Sequence, residues 1–382
     1  MTRFALAADT VFDGADLHRD TAVVIEKELI RAVVPSVDLP AGLPAIRLPA
    51  GAWLAPGFID LQVNGGGDVL FNDAPTAQGI AAIVAAHRRF GTTAMLPTLI
   101  SDTRETMKAA RRAAATAMRE CPEVLGIHFE GPFLSPERAG IHDPQRLRVP
   151  DAEDLAFLTA PAPGVTLVTM APERVPPGFI AALTRAGLRV ALGHSAATYE
   201  ETLAALDEGL TGFTHLFNAM PPLAARAPGP AAAALDAPGA WYGLIVDGFH
   251  VAPPMLRLAL RGRGRAILVT DAMSPVGGTQ RQFALQGRPI RLHEGRLTDA
   301  NGRLAGSALD MASAVRNCVR LLDLPLPGAL RLASAEPAAV LGLDGRLGRV
   351  KPGCRADLVA LDPDKVEVLG CWVAGKGGLH AS

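Results

Sequence analysis

Neither sign of charge dominates this chain of 382 residues, in which 37 Lys and Arg stand against 38 Asp and Glu for a net charge of −1. Without a basic excess, the electrostatic footprint of a nucleic-acid binder or of a protein held to an anionic membrane is missing. A local basic site for a small anion stays open, because totals say nothing of patches. Cysteine is also scarce. Cys121, Cys318, Cys354 and Cys371 have the spacing of neither a zinc ribbon nor a CxxC motif, so reduced thiols in a cytosolic protein are expected. No apolar run reaches the about 20 residues needed to cross a bilayer. The first ten residues hold no apolar stretch of signal-peptide length. The expectation is a soluble, cytoplasmic protein with no nucleic-acid or membrane partner. What the chain does have is material for a core: 49% of it is hydrophobic and only 20% charged. Its length suits a barrel with a smaller attachment.

Residues 1–52 read as short strands and turns, with 23–26 and 29–34 as strand candidates. The tail resembles this start: a turn-rich stretch at 348–353 precedes a strand-like 357–362. The two ends, 1–52 and 350–382, are expected to pair into one small β-sandwich. Between them, over 53–349, apolar runs at 58–63, 93–98, 124–130, 166–170, 189–194, 212–216, 242–246 and 266–270 give eight strand candidates. Ala- and Leu-rich helical stretches such as 76–90, 102–120, 198–208 and 253–261 separate many of them. Eight strands alternating with helices predict an α/β fold, a (β/α)8 TIM-like barrel. An open doubly wound sheet is the competing architecture, but no GxGxxG follows the first strand. The Pro- and Ala-rich run 221–234 reads as a long functional loop.

Polar residues with chemistry then fall at strand ends. Glu130 ends the third candidate, His194 the fifth, His215 the sixth and Asp271 the eighth. Barrel enzymes gather their catalytic residues at the C-terminal ends of strands. Two imidazoles and one carboxylate make a common catalytic three-ligand metal set that leaves a position for water. A further carboxylate, Asp271, can take the proton of that water and pass it to a leaving amine. His142, in the loop after the third strand, is suited to hydrogen-bond a reacting carbonyl oxygen. His128 lies two residues before Glu130 and points to the same face of a regular strand, where it is expected to support the site from behind. Taken singly, each residue has a plainer explanation. A histidine at a strand end is often only hydrogen-bonded, Glu130 can be a buried ion-pair partner, and Asp271 can cap a helix. The coincidence of the set argues for a metal site.

The segments that carry these residues resemble the N-acetylglucosamine-6-phosphate deacetylases of the amidohydrolase superfamily. The matching stretches are Ala-Pro-Gly-Phe-Ile-Asp-Leu-Gln-Val-Asn-Gly at 55–65, Gly-Ile-His-Phe-Glu-Gly-Pro-Phe-Leu-Ser at 126–135, Gly-His-Ser at 193–195, Thr-His-Leu-Phe-Asn-Ala-Met at 214–220, Asp-Gly-Phe-His at 247–250 and Val-Thr-Asp-Ala-Met at 269–273. Leu-Ala-Gly-Ser at 304–307 and Ala-Asp-Leu-Val at 356–359 extend the match over essentially the whole chain. The resemblance implies a barrel with a small β-sandwich made from both termini. It implies Glu130, His194 and His215 as metal ligands, Asp271 as the acid–base residue, and hydrolysis of a linear amide in amino-sugar metabolism. It also implies substrate contacts from Ile141 and His142, from Asn218 and Ala219, from Asp247, Gly248, Phe249 and His250, and from Leu304, Ala305 and Gly306. Arg226 matches an arginine that reaches the substrate phosphate in the neighbouring subunit, which implies a homodimer. Arg grips a phosphate monoester bidentately. Without the resemblance, Arg226 reads as a solvated loop charge and Asn218 as a turn residue.

One position departs from the wider superfamily, where His-x-His after the first strand helps to bind two metals. Here it reads Gln62-Val63-Asn64, and neither amide is a strong ligand for a first-row metal. One divalent ion per subunit is therefore expected, with zinc favoured by the ligand set and Fe2+, Mn2+ and Co2+ compatible with it. The same reaction on the galactosamine epimer, and a catalytically inactive barrel used for binding, are the competing readings.

Overall fold

The computed structural model describes residues 3–380. Eight parallel strands lie side by side in chain order: Phe58–Val63, Thr92–Ile100, Gly126–Glu130, Val165–Met170, Arg189–Leu192, Gly212–Phe213, Trp241–Leu244 and Arg265–Leu268. The ring is closed by the chain just beyond the eighth strand. Ala272 bridges to Val63, and the Asp271 N–H donates to the Gln62 carbonyl at 3.0 Å. The fold is therefore the expected (β/α)8 barrel. Its strands are almost wholly buried, as parallel strands covered by helices must be.

Several intervening helices carry readable start signals. Thr103 caps Arg104–Glu120, and Thr198 with Glu201 forms a full capping box on Tyr199–Asp207. Such caps satisfy orphan N–H groups and stabilise a helix start by about 1 kcal/mol. The stretch expected to be one long loop is partly helical, since Gly229–Asp236 is an α-helix. Proline at the first turn of a helix costs nothing because the N–H it lacks has no partner there, and the alanines that follow are strong helix formers.

The chain ends build a second sheet of eight strands. Its main path runs Lys376–Leu379, Glu367–Val373, Leu358–Asp362, Trp53–Pro56, Arg3–Phe12, Leu17–Glu26, Leu29–Pro35, with Ala45–Arg47 added beside Arg3–Phe12. The two ends thus meet directly, Ala55 facing Val359 in an antiparallel ladder. Hydrogen bonding joins all of these strands into one sheet, around an apolar cluster that includes Leu6, Val23, Leu54, Leu358 and Trp372. It lies toward the N-terminal ends of the barrel strands, where the Gly57 N–H donates to Asp357 and Arg355 donates to the Pro122 carbonyl.

A third sheet has no counterpart among the sequence expectations. Gln282–Leu285, Arg288–His293 and Arg296–Thr298 form a meander after the eighth barrel strand. Leu285, Ile290 and Leu297 on its inner face pack against Ile100, Ile141 and Met273 at the barrel mouth.

Candidate active site

Glu130 is the last residue of the third barrel strand. The other three residues expected to end their strands lie beyond them: the strands stop at Leu192, Phe213 and Leu268, before His194, His215 and Asp271. All three have left-handed backbones, with φ of +49°, +33° and +53°. That conformation is uncommon for non-glycine residues and costs energy. It breaks the extended ladder and turns each side chain into the barrel mouth.

There the Glu130 Oε1 lies 3.2 Å from the His194 Nε2 and 3.0 Å from the His215 Nε2, and the two nitrogens are 3.0 Å apart. Ligands about 2.0–2.2 Å from one metal at tetrahedral angles are separated by about 3.3–3.5 Å, so the three atoms already surround a common point. The tautomer fits as well. The His194 Nδ1 lies 2.9 Å from the Arg138 carbonyl, which can only accept. The proton therefore sits on Nδ1, and the Nε2 lone pair faces the cluster, as in histidines that ligate metals. Burial alone would raise the Glu130 carboxyl, but the imidazoles of His194 and His215 beside it hold it well below the usual range. Burial would lower His215, and the Glu130 carboxylate reverses that and raises it. A carboxylate and two imidazole nitrogens converging in a buried site form a donor set that fits a divalent cation.

Asp271 adjoins this cluster. Its Oδ1 accepts from the Gln62 amide at 3.1 Å and from the Asn64 amide at 2.6 Å, and Gln62 also donates to the Glu130 Oε1 at 3.1 Å. The two amides thus present N–H groups to the carboxylates at the place where the superfamily's histidines would present lone pairs. Burial, followed by repulsion from Glu130, pushes the Asp271 carboxyl up to about 6.

His142 faces the cluster from the loop after the third strand, its ring edge-on to His194 with centroids 4.4 Å apart. The Ser101 backbone N–H points at its Nδ1 from 3.3 Å, and the Ser101 hydroxyl lies 2.8 Å away. A backbone N–H can only donate, so Nδ1 is the acceptor and the ring proton sits on Nε2. Burial, with the neighbouring His194, lowers the His142 pKa well below the usual value and keeps the ring neutral. His142 is a neutral N–H donor. His128 sits deeper in the barrel, with Nδ1 3.1 Å from the Leu61 carbonyl and Nε2 2.7 Å from the Thr169 hydroxyl. Burial lowers it to about 4. It braces the barrel interior and makes no hydrogen bond to the three clustered residues.

A cavity of about 210 Å³ opens over the cluster. It brings together the clustered residues, Asp271, Ile141, His142, Asn218, Ala219, His250, Leu304 and Gly306. Other residues implied by the resemblance stand outside its lining. Asp247 accepts from the His250 Nδ1 at 2.6 Å and from the backbone N–H groups of Phe249 and His250, so it shapes the turn through Gly248 that presents His250. Phe249 is partly exposed beneath Arg296, and Ala305 is buried with its N–H on the Leu297 carbonyl. Arg226 is exposed in the loop before Gly229–Asp236 and does not reach the cavity of its own chain.

The cavity also contains residues that sequence reasoning did not select: Ile100, Ile245, Met273, Gly140, Arg303 and Asn64. The Asn64 Oδ1 is buried with no hydrogen-bond partner among the described residues, which leaves an acceptor for a bound group. Arg303 follows the meander. The signal for that meander was present in Gln286-Gly287 and Glu294-Gly295, two-residue X-Gly turns between apolar-alternating runs. All four residues have positive φ, the type I′ geometry that closes a tight hairpin.

Fold and site together define a barrel hydrolase of the metal-binding kind. The chain belongs to the amidohydrolase family, whose model matches residues 53–377. It is 42% identical to the N-acetylgalactosamine-6-phosphate deacetylase of Shewanella sp. (strain ANA-3), over 98% of this chain and 96% of that protein. It is 35% identical to the N-acetylglucosamine-6-phosphate deacetylase of Haemophilus influenzae, over 98% and 99%. Among solved structures it is similar to the N-acetylglucosamine-6-phosphate deacetylase of Pasteurella multocida, with a TM-score of 0.96 at 34% identity, covering 99% of this chain and 100% of that one. Family and cluster together point to a divalent metal ion at Glu130, His194 and His215. Among the described residues, no helix is long and apolar enough to cross a membrane.

Proposed function

We propose that the protein hydrolyses the acetamide of N-acetyl-D-glucosamine 6-phosphate to glucosamine 6-phosphate and acetate. The observation that carries the reading is the meeting, in one cavity, of the Glu130, His194 and His215 cluster with a carboxylate of raised pKa, Asp271, and a neutral N–H donor, His142. When bound by Glu130, His194 and His215, a divalent cation supplies Lewis acidity, acidifying water and polarising a carbonyl. Zinc suits two imidazoles and one carboxylate, and iron, manganese or cobalt can occupy the same donors. Gln62 and Asn64 favour one ion over two, because their amide N–H groups turn toward Asp271 and Glu130.

The chain's own residues divide the chemistry. Asp271 takes the proton of the attacking water. Gln62 and Asn64 both occupy its Oδ1, so Oδ2 is the oxygen left to do this. The His142 Nε2–H hydrogen-bonds the acetyl oxygen as negative charge develops there. Asp271 then delivers its proton to the amine as the C–N bond breaks. Asn218, Ala219 and His250 receive the sugar phosphate, and Arg226 supplies a bidentate cation to the neighbouring subunit's cavity in a homodimer.

A second reading keeps the chemistry and changes the sugar. The 42% identity to the Shewanella enzyme exceeds the 35% to the Haemophilus one, which favours the galactosamine epimer. Acetate release from both phosphorylated epimers and from unphosphorylated N-acetylglucosamine, before and after chelation and metal return, tests both. Metal-restored release from one phosphorylated epimer selects the sugar. No release from either rejects the deacetylase reading.

A further inference from the structure

The catalytic cluster leaves the three-stranded meander without a role, yet hydrogen bonds from it and from the chain just after it reach three carbonyls around His142. Gln286, at the tip of the first hairpin, donates its amide to the Ser101 carbonyl at 2.7 Å. Arg288, at the start of the second strand, donates to the Ile141 carbonyl. Arg303, just after the sheet, donates to the Gly140 carbonyl at 2.7 Å. Gly140 and Ile141 immediately precede His142, and the third carbonyl belongs to Ser101, whose N–H and hydroxyl hold the His142 Nδ1. The inner face of the meander, Leu285, Ile290 and Leu297, packs on Ile141 itself.

The segment needs such support. The chain from Gly140 to His142 lies in a loop between the short helices Pro136–Arg138 and Pro144–Arg146, outside any strand or long helix. Gly140 has φ of +59°, and a Cβ there would come within 3.1 Å of the His194 Cε1. A side chain on such a loop holds a catalytic position only if its neighbours fix it. Neither Gln286 nor Arg288 lines the cavity, so neither acts by touching substrate.

We propose that the meander is a clamp that positions His142, with Gln286 and Arg288 as its positioning residues. The clamp fixes the Ser101 contact that keeps the His142 proton on Nε2, and it fixes the height of the ring over the metal ligands. Its effect on turnover rests on the deacetylase reading of His142. Its effect on the ring itself does not.

The test is a double-mutant cycle on metal-loaded protein. Arg288→Ala and Gln286→Ala are each made alone and in a His142→Ala background, with Arg288→Lys as the conservative control. Expected are an unchanged metal content per chain and a kcat lowered on the order of tenfold to a hundredfold by misplacement of the donor. KM should hardly move, and Arg288→Lys should recover part of the loss. In the His142→Ala background the clamp substitutions should cost nothing further, because residues that act through one partner are not additive. In parallel, NMR of protein labelled with 15N-histidine reads the His142 tautomer, and the clamp variants should shift or broaden the Nε2–H signal. Equal costs in both backgrounds, an unmoved His142 signal, or loss of metal from the clamp variants would overturn the proposal. If the unsubstituted protein releases no acetate, the deacetylase reading fails while the NMR arm still decides the clamp.

Discussion

The Nδ1–H of His194 is held by the carbonyl oxygen of Arg138, 2.9 Å away. This contact commits the ring to one tautomer and leaves Nε2 free as a ligand, so the metal site is set up before any ion arrives. Purified protein should carry one divalent ion per chain by elemental analysis. His194→Ala or Glu130→Gln should retain far less than one after dialysis, with the fold kept by circular dichroism. Two ions per chain in the unsubstituted protein would refute the reading of Gln62 and Asn64.

Asp271→Asn should leave metal content intact and lower kcat by about 10²–10⁴-fold, the range for a general acid–base residue. Near-normal turnover in a folded, metal-loaded variant would remove Asp271 from the mechanism.

The same residue sets a pH dependence. As a base, Asp271 must be ionised, and burial with Glu130 beside it raises its pKa to about 6. Activity should therefore rise with pH through an acid limb, and a bound cation, which favours the ionised form, moves that limb to about 6 or below. A pH–rate profile on the loaded enzyme measures it. A limb well above 6 would contradict the assignment.

Asp60 should act on stability in the opposite direction. It is fully buried against Thr270, and burial raises it to about 7 from an ordinary value of about 3.9. Between those values the folded state holds a proton that the unfolded chain releases. The stability that Asp60 contributes is thus complete below about 4 and is lost as pH rises through about 7. Urea titrations from pH 4 to 8 should find Asp60→Asn less pH-sensitive than the parent over this window. An unchanged slope would show that Asp60 is ionised throughout.

If Arg226 serves the neighbouring site, Arg226→Ala should raise KM for the phosphorylated sugar and hardly affect the unphosphorylated one. Mixing it with Asp271→Asn subunits should restore activity, because one site of the mixed dimer then combines an intact Asp271 with a partner's Arg226. Failure of two well-folded variants to complement would place Arg226 outside the phosphate site.

The sequence disclosed the barrel because each strand is an unbroken apolar run and helix starts such as Thr198 carry caps. It marked Glu130, His194, His215 and Asp271 as candidates, which the fold brings to one cavity, because chemically distinctive side chains stood at the ends of those runs. It misplaced three of the four by two or three residues, since a left-handed turn leaves no mark in a His or Asp, whereas a glycine would have marked it. The helix Gly229–Asp236 was hidden by prolines that read as loop. Arg288 and Arg303 were invisible for another reason. Each donates to a backbone carbonyl far away in the chain, at Ile141 and Gly140, and a carbonyl acceptor has no residue type to announce it.

The pairing of Ala55 with Val359 has a consequence for how the molecule is made. Trp53–Pro56 passes through Gly57 into the first barrel strand, yet it finds its other neighbour, Leu358–Asp362, only near the end of the chain. On the ribosome, the first strands of the terminal sheet emerge with that edge unpaired and wait until the barrel strands have all been synthesised. Contacts so distant in sequence close slowly, and an open edge is the part of a nascent chain most prone to pairing with a wrong partner. Leu358–Asp362, translated after the whole barrel, is the strand that seals the edge left open by Trp53–Pro56.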